Sequence, residues 1–89
     1  MTPAERKKLK GQAHKLEPVV LIGTKGLTAE VVAEIELALK AHELIKVRAP
    51  GLDREARGPA FQAAAAKTRS EIVQEIGKVL VLYRKREAD

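Results

Sequence analysis

Gly23-Thr24-Lys25-Gly26 stands directly after the apolar run Val19 to Ile22 and just before Thr28, a residue type that caps helices. Two glycines two residues apart let a backbone come close to a ligand. The free N–H groups of a helix start attract an anion, and Lys25 adds a full positive charge. The chemistry such a loop supports is non-covalent: it holds a phosphate or the sugar-phosphate backbone of a polymer. Glycines also serve turns that need φ > 0, so the spacing alone does not separate a binding loop from a structural one. The longer glycine-rich run and Lys-Ser/Thr ending of a nucleotide-hydrolysing P-loop are missing.

Other reactive residue types form no constellation. His14 and His42 fall in separate helical segments with no second ligand at metal-binding spacing, so neither a metal nor another cofactor is expected. His42 reads better as a helix end and His14 as an interface or surface residue. Glu43, Asp53 and Glu55 lie at loops or helix ends beside Lys46, Arg54 or Arg57, where caps and ion pairs account for them. With a single Ser and no Cys there is no nucleophile with its base, and no enzyme or small-molecule substrate is expected.

The elements that must position the glycine loop follow from periodicity. Thr2-Pro3-Ala4-Glu5 combines an N-cap, a proline at the first helical position and a capping-box glutamate, and so starts a first helix. Leu9, Ala13 and Leu16 form its apolar stripe, and Pro18 ends it. Val19 to Ile22 is apolar at both parities, which predicts a central strand covered on both faces. After the loop, Thr28 caps a second helix with Val31, Val32, Ile35, Leu39 and His42 on or beside one face. Leu44 to Ala49 alternates as a half-exposed strand, with Ile45 and Val47 inward and Leu44, Lys46 and Arg48 on the other side. A third helix starts at Asp53 with a distortion or afresh at Pro59, since Gly58-Pro59 interrupts it, and it leaves through Thr68-Arg69-Ser70. Gly77-Lys78 then joins two strands, Ile72 to Ile76 and Val79 to Tyr83, as a type II′ hairpin. The order α-β-α-β-α-β-β gives a two-layer α/β sandwich on a four-stranded mixed sheet, one domain spanning residues 1–89.

The chain of 89 residues carries 17 Lys and Arg against 12 Asp and Glu, a net charge of +5. That balance favours a polyanionic partner, nucleic acid or an anionic membrane. The charge is unevenly spread: residues 29–43 hold four acids and one base, leaving 16 bases against eight acids elsewhere. The basic blocks are Arg6-Lys7-Lys8-Lys10, Lys25, Lys46 with Arg48, and Arg84-Lys85-Arg86. This asymmetry points to nucleic acid. The first helix lacks the aromatic anchors of a membrane-surface helix, and no apolar run approaches the ~20 residues that span a bilayer. No signal peptide is read at the start, which makes the expectation a soluble, cytoplasmic protein without membrane attachment. The absence of Cys excludes disulfides, zinc ribbons and thiol chemistry. Phe61 and Tyr83, the only aromatic residues, are too few for a base-stacking sheet of the RRM kind. Phe61 belongs to the core, whereas Tyr83 fits either a boundary position or a single stacking surface.

Four segments, LKGQAHKLEPVVLIGTKGLT (Leu9 to Thr28) with EIELAL after it, HELIKVR (His42 to Arg48) with Asp53-Arg54-Glu55, and VQEIGKVLVLYR (Val73 to Arg84), occur in an order and spacing that resembles the YhbY-like bacterial members of the CRM (chloroplast RNA splicing and ribosome maturation) domain family. The resemblance covers nearly the whole chain. It implies a fold related to the C-terminal domain of translation initiation factor three, RNA binding that involves the Gly-x-x-Gly loop, and association with precursors of the large ribosomal subunit. By motif match Gly23, Thr24, Lys25 and Gly26 take the loop role, with Arg6, Lys7, Lys10, Lys46, Arg48 and Arg84 as the adjacent basic surface. Gly58-Pro59 departs from the expected pattern, and any basic C-terminal extension is reduced to Arg84-Lys85-Arg86.

The leading expectation is therefore a non-catalytic protein that grips structured ribosomal RNA and acts in large-subunit assembly, with a monomer as the default oligomeric state. A protein-docking module that uses Glu30, Glu34 and Glu36 of the second helix on a basic ribosomal or assembly protein is the alternative. A small DNA-coating protein would rest on charge alone.

Overall fold

A computed structural model of the chain describes residues 1–86. Its three helices start by one local device. Thr2, Thr28 and Asp53 sit in extended backbone, and their side-chain oxygens accept from the N–H of Glu5 (3.1 Å), Val31 (3.2 Å) and Ala56 (2.8 Å). The helices are α1 (Pro3–Ala13), α2 (Ala29–His42) and α3 (Arg54–Thr68). Between and after them run β1 (Pro18–Leu21), β2 (Leu44–Arg48), β3 (Glu71–Ile76) and β4 (Val79–Tyr83). The order is the expected α-β-α-β-α-β-β.

The strands form one sheet in the order β1-β2-β4-β3, with β1 parallel to β2 and both other pairings antiparallel. β3 thus runs parallel to β2 with β4 inserted between them. On one face α2 and α3 bury Ile35, Leu39, Phe61 and Ala64 against Val20, Ile22, Ile45, Val47, Leu80 and Leu82. This helix pair on a four-stranded mixed sheet is the predicted α/β fold, and α1 on the other face adds a third layer to the two expected. On the other face α1 lies across the sheet, where Leu9 and Ala13 pack against Leu44, Val73, Val81 and Tyr83. Tyr83 is therefore a boundary residue of this smaller cluster. The inward Ile45 and Val47 and the half-exposed other side of β2 follow the alternation read from the sequence.

The hairpin pairs Ile76 with Val79 across Gly77-Lys78, and only Gly77 has positive φ (54°), as a type II′ turn requires. At Val73 the β3–β4 register shifts, so that Val73 and Gln74 together stand opposite Val81 on β4. The guanidinium of Arg6 donates to the carbonyls of Ile72 (2.7 Å) and Val73 (3.2 Å) at that bulge and ties α1 to the β3 edge.

Two expectations need correction, and of the two starts open for α3 the one at Asp53 is found. β1 is an edge strand rather than a central one: α1 lies over β2 and β3, so Val19 and Leu21 remain 52% and 58% exposed while Val20 and Ile22 enter the core. α1 ends at Ala13, five residues before Pro18, because the chain turns through Leu16 N–H to Ala13 O (3.0 Å) to bring β1 alongside β2. α3 is continuous from Arg54, and Pro59 lies inside it. Gly58 makes this passable, since the clash that keeps a pre-proline residue out of the helical region involves a Cβ that glycine lacks.

Candidate functional site

Parallel β1–β2 pairing and antiparallel β2–β4 pairing bring the C-terminal ends of β1 and β2 and the β3–β4 turn to one edge of the sheet. Leu21 pairs with Arg48 and Arg48 with Val79. The Ile22 N–H donates to Arg48 O, and the Ala49 N–H to Lys78 O, both at 2.8 Å. The glycine loop leaves β1 at this edge, and the capped start of α2 follows it.

Within the loop the Gly26 N–H donates to Gly23 O at 2.9 Å, which closes a four-residue turn with Thr24 and Lys25 exposed at its corners. Gly26 has φ +79°, a value that only glycine adopts freely. Gly23 is different: its φ lies outside the left-handed region, and a Cβ built there would meet nothing within 4 Å. The fold makes no demand for glycine at position 23, and the space beside its backbone is open to a ligand. The loop is propped from behind by the β2–α3 connection, where a Cβ on Gly51 would fall 2.8 Å from Thr24 Cγ2. Thr28 takes one first-turn N–H of α2, leaving the others of that turn to an incoming acceptor.

Arg48, exposed at the end of β2, shares the sheet face with half-buried Lys46. Lys46 lines a hollow of about 190 Å³ with Lys10 and His14 of α1 and with Ile76 and Val79 beside the hairpin turn. Lys7 is exposed one helical turn before Lys10. Lys25, Arg48, Lys46 and Lys10 therefore follow one another from the glycine loop onto the α1 side of the sheet. Lys78 at the hairpin corner and Arg54 and Arg57 in the first turns of α3 belong to the same end of the molecule. Sequence reasoning missed Lys78 because its placement depends on β4 pairing with β2. The hairpin itself was legible, and its neighbour was not.

Two of the predicted basic residues are engaged by the fold, Arg6 next to Lys7 and Lys10 and Arg84 far from the glycine loop. The Arg6 guanidinium is engaged by the β3 bulge, 66 and 67 residues away in sequence. Arg84 lies at the opposite edge of the sheet, where its guanidinium donates to Glu36 Oε1 (2.9 Å) and Thr68 O (2.7 Å). The hydrogen bond from Arg84 holds the Glu36 carboxyl below its ordinary value, helped by the charges of Arg84, Lys40 and Arg69 and opposed by partial burial. Glu36 is thus an internal partner, and the acidic face of α2 is reduced to Glu30 and Glu34, both exposed. Among the described residues no group of three or more His, Cys, Asp or Glu side chains is placed to hold a metal ion. No helix among them is long and apolar enough to cross a membrane.

Known proteins resemble this chain over most of its length. A Haemophilus influenzae protein named "RNA-binding protein" is 49% identical over 84 residues, covering 94% of this chain and 85% of the relative. The Pseudomonas aeruginosa protein named "Probable RNA-binding protein PA4753" is 41% identical over 85 residues, with 96% and 82% covered. The solution structure of SAV1595 from Staphylococcus aureus superposes with a TM-score of 0.84 at 29% identity, over 100% of this chain and 93% of that one. The sequence model of the CRS1 / YhbY (CRM) domain matches residues 1–84. With the fold and nearly the full length in agreement, this chain belongs to the CRS1 / YhbY (CRM) domain family.

Proposed function

We propose that the protein binds structured RNA through its sugar-phosphate backbone, at the edge where the glycine loop meets the ends of β1 and β2. The observation that carries this reading is Gly23 in its loop: neither backbone conformation nor packing calls for a glycine there, and its backbone is left open to an approaching ligand beside Lys25 and the start of α2. Lys25 sits beside it, Arg48 and Lys46 continue the charge along β2, and the start of α2 offers N–H groups to a phosphate. The names of the relatives support RNA as the polymer. With Phe61 buried and Tyr83 packed under α1, recognition rests on backbone and shape rather than stacked bases. No chemical step is assigned to the site. We place the action on precursors of the large ribosomal subunit, as the sequence resemblance implies, and in the cytoplasm.

The deciding experiment is equilibrium binding to a structured ribosomal RNA fragment and to duplex DNA of equal length across a salt series. RNA is expected to bind more tightly near physiological salt. Lys25→Glu should weaken RNA binding about 10-fold or more and lower the log–log salt slope by about one, with an unchanged melting temperature. Equal affinity for both polymers together with an indifferent Lys25→Glu variant would remove the loop from the interface.

A further inference from the structure

A second cationic site lies at the far end of α2. The C-terminal ends of α2 and α3 and the residues after β4 form a cleft of about 640 Å³, lined among the described residues by Lys40, Lys67, Arg69, Arg84, Lys85 and Arg86 and by one carboxylate, Glu36. Two of these cations are used by the fold. Arg84 holds Glu36 and the Thr68 carbonyl, and Arg86 donates to Ala41 O (3.0 Å) through its side chain and to Glu43 Oε2 (2.7 Å) through its backbone N–H. Lys40, Lys67, Arg69 and Lys85 are exposed, and among the described residues none of them is in an ion pair.

Cations at helix ends often offset the negative end of the helix dipole, and Lys40 and Lys67 stand in last turns. That role does not use up the charge. Two helix ends contribute about half a negative charge each, and among the described residues these and the carboxylates of Glu36 and Glu43 leave the six cations in excess. The backbone at Arg69 makes a second, independent point. Arg69 ends α3 in the left-handed region (φ 54°, ψ 38°), where glycine is the usual residue and a side chain is strained. Its N–H closes the helix on the Ala65 and Ala66 carbonyls, a function glycine performs equally. At this position the chain carries an arginine whose exposed side chain lines the cleft.

We infer that this cleft is a second phosphodiester-binding site, and that the protein clamps two RNA segments, one at the glycine loop and one between the ends of α2 and α3. The inference rests on the RNA-binding reading of the first site. α2 is the spacer: it starts beside the glycine loop and ends at the cleft, 14 residues or about 21 Å later. The two sites stand at opposite ends of α2 in a body 33 × 28 × 21 Å in extent, a separation that suits two strands or two helices brought together, and the number of hairpins bound per protein distinguishes this from one segment reaching both sites.

The test is native mass spectrometry of the purified protein with a short RNA hairpin in excess, paired with capture of a second, labelled hairpin by protein bound to an immobilised first one. Wild type is expected to form complexes of one protein with two hairpins and to retain the label. Arg69→Gly should melt at the wild-type temperature or higher, keep one hairpin, and lose about 10-fold in affinity for the second. Lys67→Gln with Lys85→Gln, both at exposed positions, should reproduce that loss without relying on a backbone change. Lys25→Glu should keep the second hairpin and lose the first. Saturation at one hairpin that disappears in Lys25→Glu would leave the first site standing and overturn the clamp. Capture that arises only from complexes of two proteins with two hairpins, or that persists undiminished in both cleft variants, would overturn it as well. A wild type that binds no hairpin would overturn both readings together.

Discussion

At residue scale the two loop glycines separate binding from folding. Gly26 holds φ +79°, so Gly26→Ala is expected to destabilise by about 1–2 kcal/mol. Gly23→Ala enters a permitted conformation with empty space around it and should leave stability unchanged or raise it by up to about 1 kcal/mol. The same methyl stands where the RNA backbone is proposed to come, so Gly23→Ala should weaken RNA binding about 10-fold. Thermal melts and RNA titrations of the pair read the two effects separately, and full affinity in a stable Gly23→Ala would place the RNA elsewhere. The loop was legible in sequence because all its parts are contiguous: strand end, glycines, lysine and cap lie within residues 19–28. Arg6 and Arg84 were not, since the carbonyls and carboxylate that engage them lie 16 to 67 residues away. A charged side chain reads the same in sequence whether it faces solvent or a bulge in a distant strand.

At the scale of elements, helix starts were legible because a cap acts over three residues, whereas strand neighbours depend on the whole topology. β1 looked central because Val19 to Ile22 is apolar throughout, yet β4 took the central position and α1 left the outer face of β1 uncovered. α3 holds a testable tension. Pro59 sits in its second turn and cannot donate to the Glu55 carbonyl, as a residue four positions on otherwise would. Pro59→Ala is expected to stabilise the protein by about 1–2 kcal/mol, measured by urea unfolding, the gain being reduced by the freer unfolded chain. The contact of α2 with the end of β4 adds a pH dependence. Glu36 titrates below its ordinary value in the folded state, so its pair with Arg84 stabilises above the ordinary glutamate range and is lost as acid protonates the carboxyl through its lowered value. The pair is partly exposed, at 33% and 23% of the two side chains, and should contribute about 0.5–1 kcal/mol. Glu36→Gln should be less stable by that amount at neutral pH and should converge with wild type once acid has protonated the Glu36 carboxyl, as followed by denaturant midpoints.

On the scale of the whole molecule, the net charge of +5 is divided between two ends rather than gathered on one face. Composition showed the excess, and the acidic stretch at residues 29–43 showed that it is uneven. Only the fold shows that α2 carries this acidic stretch between two basic ends, because the last segment, Arg84 to Arg86, comes to lie at the helix ends opposite the glycine loop. The sequence resemblance covered nearly the whole chain and placed Arg84 with the loop's basic surface, but it did not bring Arg84 together with Lys40, Lys67 and Arg69, since the cleft residues come from three separate segments.

The place of β4 in the sheet also governs how the chain can be made. β1 and β2 on one side and β3 on the other have no strand-to-strand contact except through β4, which is formed by residues 79–83. A nascent chain that has not yet delivered those residues holds two unconnected strand groups, with Ile45, Val47 and Phe61 deprived of Leu80 and Leu82. Folding is thus deferred until the last strand arrives, and the domain assembles in one late, all-or-none step rather than progressively from its first residue. A chain ended at Ile76 should show no cooperative melt by circular dichroism, and a separate peptide carrying β4 should restore one. For a small protein rich in unpaired apolar strands, such lateness makes the interval before β4 emerges the period of greatest exposure to misassociation and to proteolysis.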